Sequence, residues 1–101
     1  MSTTTHELKE DGFKFDVQGA FLRRTDLSNA NLRGANLRDA DFSNAILRGA
    51  NLEGAVLEGT ILRGADLSGA RVTLSQLKRA VLDNSTLLPD GISREELSLA
   101  P

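Results

Sequence analysis

Ala30-Asn31-Leu32-Arg33-Gly34-Ala35-Asn36-Leu37-Arg38-Asp39 states one five-residue unit twice, and the same unit continues in both directions. A leucine, or Phe42 or Val72 in its place, recurs every fifth residue from Leu22 to Leu87, fourteen centres in all. Two places before each centre stands a small residue: alanine ten times, otherwise Thr25, Thr60, Ser75 or Ser85. An α-helix would scatter these leucines, because five residues advance about 140° past a full turn. A straight strand would send alternate leucines to opposite faces, because its side-chain period is two. A short extended side followed by a corner keeps every small residue and every centre pointing inward. The corners agree: Asn29, Gly34, Asp39, Asn44, Gly49, Gly54, Gly59, Gly64, Gly69 and Asn84 are types that tolerate the positive φ a type II turn demands.

If each corner bends the chain by about a right angle, four units close one coil and residues twenty apart stack. At the usual strand spacing of about 4.8 Å, residues 20–89 make three and a half coils and a rod about 17 Å tall. Alanine is needed before each leucine because two inward residues per side share a narrow interior, and a larger residue would overpack it by about 1–3 kcal/mol. The runs Ala30-Asn31-Leu32-Arg33-Gly34, Ala35-Asn36-Leu37-Arg38-Asp39, Ala50-Asn51-Leu52-Glu53-Gly54 and Ala65-Asp66-Leu67-Ser68-Gly69 resemble the A(D/N)LXX signature of the pentapeptide repeat family, in particular its small bacterial and cyanobacterial members. The resemblance implies an all-β solenoid, a right-handed quadrilateral β-helix of about three and a half to four coils with short helical or irregular caps.

The expected organisation is an N-terminal tail and cap over 1–14, the β-helix over 15–89 with a helical interruption near 73–79, and a C-terminal cap or tail over 90–101. Open backbone edges invite pairing, so both flanks read first as covers. Phe15-Asp16-Val17-Gln18-Gly19 keeps register but carries phenylalanine in the small position, and is expected to plug the first coil with help from Phe13. Met1 to Thr5 are expected to be disordered, and His6 to Asp11 to hold at most a helical turn. Thr73-Leu74-Ser75-Gln76 fits a capping box, with a helical turn expected through Leu77 to Arg79, and Ser93-Arg94-Glu95-Glu96 fits a second.

Composition removes several kinds of chemistry. The 101 residues include no cysteine, so there is no disulfide, thiol nucleophile or thiolate metal site. No secretory signal and no apolar stretch of about 18 residues is present, which makes the cytoplasm the expected location and a membrane an unexpected partner. His6, the single histidine, lies where nothing is expected to hold it against a nucleophile. The glycines fall on corners and form no phosphate-cradling motif. Stacking by twenties puts Ile46 between Asp26 and Asp66, and Asp41 between Phe21 and Ile61, so oxygens do not converge as calcium or magnesium requires. No catalytic, cofactor or metal site is expected.

The same stacking predicts charge ladders, Arg38 with Glu58 and Lys78, and Arg33 with Glu53, read as surface register pairs. The outward position before each centre is normally polar but is apolar at Phe21, Ile46, Val56, Ile61 and Val81. These five are the candidate protein-contact residues. The leading expectation is therefore a non-enzymatic interaction scaffold, forming a homodimer or homo-oligomer or binding an unidentified protein. Two alternatives stand beside it. Resemblance brings in gyrase inhibitors that mimic DNA, yet residues 20–89 hold nine Arg or Lys against seven Asp or Glu, whereas DNA carries a negative charge about every 1.7 Å of axis. Nucleic-acid binding through Arg23, Arg24, Arg33 and Arg38 lacks aromatic stacking partners.

Overall fold

The computed structural model describes residues 15–99, which form a coil of five-residue sides with corners between them. Parallel bridges link residues twenty apart in four ladders: Asp16, Asn36 and Val56; Phe21, Asp41, Ile61 and Val81; Asp26, Ile46 and Asp66; Asn31, Asn51 and Arg71. Four sides of five residues per turn are what a twenty-residue offset means. The expectations for Phe13, His6 and Met1 to Thr5 lie outside the described residues.

Four of the five backbone N–H positions of the repeat are met without a side chain. Leu32 N–H donates up to Asn51 O at 2.9 Å and Gly34 N–H to Glu53 O at 2.8 Å. Ala35 N–H closes the corner on Leu32 O at 3.1 Å, and Asn51 N–H reaches down to Ala30 O at 2.9 Å. The fifth donor, on the residue after the centre, is met by the outward side chain two places earlier. Arg33 N–H donates to Asn31 Oδ1 at 3.2 Å, Glu53 N–H to Asn51 Oδ1 at 3.0 Å, and Ser43 N–H to Asp41 Oδ1 at 3.0 Å. Asparagine or aspartate in the outward position thus completes the backbone's hydrogen bonding, as an unsatisfied donor would otherwise need water.

The interior is a column of leucines from Leu32 to Leu67 with Phe42 among them, each flanked by alanine or Thr60, all buried. Thr60 earns its place with its hydroxyl, which donates to Leu37 O at 2.6 Å. Eleven successive corners from Gly19 to Gly69 have positive φ, including Arg24 at 59°. At Gly64 a second constraint joins the first, because the carboxamide oxygen of Asn44, one coil below, occupies the space a Cβ would need.

The second half of the rod departs from the regular coil in three ways. Helix α1 spans Leu74–Lys78 with Thr73 as N-cap, as the capping box Thr73-Leu74-Ser75-Gln76 indicates, and ends at Lys78 with Arg79 as its C-cap. Its capping box is complete, with Gln76 N–H donating to Thr73 Oγ1 at 3.1 Å and Thr73 N–H to Gln76 Oε1 at 2.9 Å. α1 takes Ser75 out to solvent but buries Leu77 in the column. It also removes the strand that should lie over Val56, and Gln76 compensates. Its Nε2 donates to Leu52 O and Ala55 O, both at 2.8 Å, the second being the carbonyl a backbone N–H would otherwise reach.

The second departure is one extra residue after Leu82. Ile61 still bridges Val81, but Asp66 bridges Leu87, twenty-one residues on. The expected unit, Ser85 inward with Leu87 as centre, is therefore wrong. Thr86 is the buried small residue, Leu88 packs on the core, and Leu87 faces out at 50% exposure. Thr86 Oγ1 donates to Leu62 O at 2.8 Å, the kind of bond Thr60 makes to Leu37 O one coil and one side earlier. Asn84 accordingly does not have the left-handed corner conformation.

The third concerns the ends. Phe15 stays 45% exposed and plugs nothing, while Val17 packs on the core instead. At the other end Ile92 and Leu97 pack on the core, Ser93 and Glu96 exchange capping bonds, and Arg94 donates to Thr86 O at 2.8 Å. A guanidinium thus covers carbonyls that the next coil would have met.

Candidate protein-contact surface

Everything outside the column is an outward position, a corner or a cap. The five apolar outward residues fall on three ladders: Val56 on the first, Phe21, Ile61 and Val81 on the second, Ile46 on the third. Asp41 separates Phe21 from Ile61, so only Ile61 and Val81 are direct neighbours on adjacent coils. Phe21 is 87% exposed and Ile46 38%, whereas Val56, Ile61 and Val81 are half-buried. Leu87 joins Ile46's ladder beyond Asp66, a residue that sequence reading missed because it assigned Leu87 to the interior.

Four of the five apolar residues also forfeit a hydrogen bond. Among the described residues, the N–H groups of Arg23, Arg48, Glu58 and Arg63 have no acceptor, because Phe21, Ile46, Val56 and Ile61 offer none. Asp83 escapes this fate through Thr86 Oγ1 at 3.1 Å. A lost intramolecular hydrogen bond to a solvated donor is worth about 0.5–1.5 kcal/mol. Phe21, Ile46, Val56 and Ile61 therefore give up a structural function that Asn or Asp supplies elsewhere.

The charged groups are neutralised in pairs along the coils. Arg33 meets Glu53 at 3.6 Å and Arg38 meets Glu58 at 3.7 Å, as stacking by twenties predicts. The third member of the latter ladder is Arg79, at 3.3 Å from Glu58, and not Lys78. Helix α1 turns residues by about 100° each, which takes Lys78 off the column. Arg23 with Asp41 and Arg48 with Asp66 run diagonally, at 3.7 and 3.2 Å. These pairs are solvent-exposed and each contributes about 0–1 kcal/mol.

Aspartates take on a second task. Asp26, Asp41, Asp66 and Asp83 are each held below the ordinary carboxylate range, first by the hydroxyl of Ser28, Ser43, Ser68 or Ser85 two residues on. Backbone N–H donors add to this at all four, and Arg48 at Asp66. A folded pKa below the unfolded one stabilises fully above the unfolded value, about 3.9, and the gain is lost as pH falls through the folded value. Urea midpoints followed by circular dichroism should therefore be level near neutrality and fall below about pH 4. Ser43→Ala should reduce that acid sensitivity; an unchanged pH profile would show that the Asp41–Ser43 unit is not linked to folding.

No group of His, Cys, Asp and Glu among the described residues could hold a metal ion. No described helix is long and apolar enough to cross a membrane. A cleft of about 220 Å³ lies beside α1, lined by Val56, Glu58, Gln76 and Arg79, but Gln76 and Arg79 are already engaged within it.

A family model described as pentapeptide repeats matches in eight copies, over residues 16–44, 35–73 and 45–84. Among solved structures, a pentapeptide repeat protein from Nostoc PCC 7120 is 28% identical, with 95% of this chain and 91% of that one covered and a TM-score of 0.40. Rfr23, a pentapeptide repeat protein from the cyanobacterium Cyanothece 51142, is 24% identical over 82% of this chain and 95% of its own, with a TM-score of 0.37. HetL, from Nostoc sp. strain PCC 7120 and involved in heterocyst differentiation regulation, is 26% identical at a TM-score of 0.42. The match covers 76% of this chain and half of HetL. No curated protein matches significantly.

Proposed function

The chain belongs to the pentapeptide repeat family, and on that premise we propose that it is a non-enzymatic, self-associating scaffold that makes protein contacts through Phe21, Ile46, Val56, Ile61 and Val81. The rod is taken as a right-handed β-helix of about three and a half to four coils. The observation that carries the reading is the forfeited hydrogen bond: these positions expose or half-expose an apolar group where the repeat's own backbone calls for Asn or Asp. Titratable groups support it from the other side, since the aspartates and most arginines serve turns and ladders. Cytoplasmic residence belongs to the same proposal, as a chain without cysteine gains nothing from an oxidising compartment.

The test is solution mass by light scattering across a concentration series. The scaffold reading expects a species heavier than the 10.9 kDa chain, reduced by Phe21→Asp or Ile61→Asp with the circular dichroism spectrum retained. A strict monomer that pulls down no partner through these residues would sink it.

A further inference from the structure

From the direction of the backbone groups in the first coil, we propose that two copies join end to end through their N-terminal edges, Phe21 opposite Phe21 across a two-fold axis. This rests on the self-association reading above and names its interface. In every later coil the outward residue aims both of its backbone groups toward the coil before it. Asp41 N–H donates to Ala20 O at 2.8 Å while Asp41 O accepts from Leu22 N–H at 2.7 Å. Among the described residues Phe21, Asp26 and Asn31 have no coil before them, and neither their N–H nor their C=O is bonded. Each is a donor and acceptor side by side on an open edge. That arrangement is self-complementary, since two such residues facing one another antiparallel exchange two N–H···O=C bonds. Parallel pairing to a further coil would need a partner presenting the opposite edge, and in this protein that edge is covered by Arg94, Ile92 and Leu97. The assembly therefore closes at two copies instead of growing into a filament.

Exposure selects the alignment. Phe21 on Phe21 sets Arg23 and Arg24 beside Gly19 and Gln18 of the second copy and Asp26 opposite its Asp16, so the axis is fixed by the apolar pair and not by charge. The same alignment brings together the most exposed apolar side chain, Phe21, and with it the half-buried Leu22 and Val17 at the open end of the column.

Phe21→Pro is the cleanest probe, because it removes an N–H that the single chain does not use, while Phe21→Asp keeps the N–H and removes the apolar contact. Both are expected to return the mass from about twice 10.9 kDa to 10.9 kDa with the circular dichroism spectrum unchanged. In this cysteine-free chain Phe21→Cys should form a covalent dimer on mild oxidation, because hydrogen-bonded antiparallel residues lie about 5.5 Å apart at Cα, within disulfide reach. Ile61→Cys should not. A dimer that survives Phe21→Pro and dissolves with Ile61→Asp would overturn end-on pairing and leave the scaffold reading standing. So would crosslinking through Cys at 61 and not at 21. A monomer at all concentrations would overturn both.

Discussion

Phe42→Ala is expected to remove about 3–5 kcal/mol of stability, the largest effect of any single substitution in the column. Phe42 is fully buried, takes a leucine's place, and lies between Leu22 below and Leu62 above. In a layered core, neighbours could lean into the space left behind. Here the backbone on every side is pinned to the coils above and below, as by Phe42 N–H on Ile61 O at 2.8 Å and Asp41 N–H on Ala20 O at 2.8 Å. The cavity therefore stays open, and its full penalty adds to the lost transfer energy. Domains of this size are stable by about 5–15 kcal/mol in all, so the variant should be near its unfolding midpoint in mild urea. Phe42→Leu, which restores the common centre, should cost less than about 1.5 kcal/mol. Urea titration by circular dichroism measures both; equal losses for the two would mean that the column relaxes around its centres after all.

Gln76→Ala ranks second, at about 1.5–4.5 kcal/mol, from three hydrogen bonds at about 0.5–1.5 kcal/mol each. One anchors the start of α1 through Thr73 N–H, and two hold Leu52 O and Ala55 O where the coil has no strand to offer. Gln76→Glu separates the two tasks. It keeps an acceptor for Thr73 but turns a carboxylate oxygen toward two carbonyl oxygens, so it should destabilise at least as much as alanine at neutral pH. A harmless Gln76→Glu would show that the helix cap, and not the carbonyl bridge, is what the residue contributes.

How much of this was open to sequence reading varied along the chain. Between Leu22 and Leu67 the five-residue register identified every inward centre, and stacking by twenties found Arg33 with Glu53 and Arg38 with Glu58, because each side there is regular and a count of residues is a count of position. Two elements broke that equivalence. Helix α1 preserves the count but rotates side chains at its own period, so Leu77 was placed correctly and Lys78 was not. After Leu82 the segment Ser85-Thr86-Leu87-Leu88 offers two small residues, each two places before a leucine, and periodicity cannot choose between them. The choice is made by chemistry: Thr86 can return a hydroxyl proton to Leu62 O, and Asp83 can accept from both Gly64 N–H and Ser85. The five contact candidates were legible as exceptions to the pattern, but the bond that four of them give up emerged only when the outward Asn and Asp were seen accepting from the N–H two residues on. Phe15 was misread because a bulky residue at a repeat boundary suggested a plug, whereas the chain enters with that side chain turned to solvent.

The ladders carry one more consequence. Among the described residues, every backbone hydrogen bond between coils joins residues about one turn apart, and none ties the first coil to the last. Such a rod has no point at which all parts meet, so its cooperativity is that of a chain of neighbours, each coil holding only the next. Disturbance at one end dies out within a turn or two, and opening travels inward as fraying instead of spreading at once. Among the described residues the end near Arg94 is fastened by side chains, whereas the first coil holds its outer backbone groups unbonded within the single chain. Pairing with a second copy would therefore steady the very coil from which opening should start, and leave the fastened end as it was.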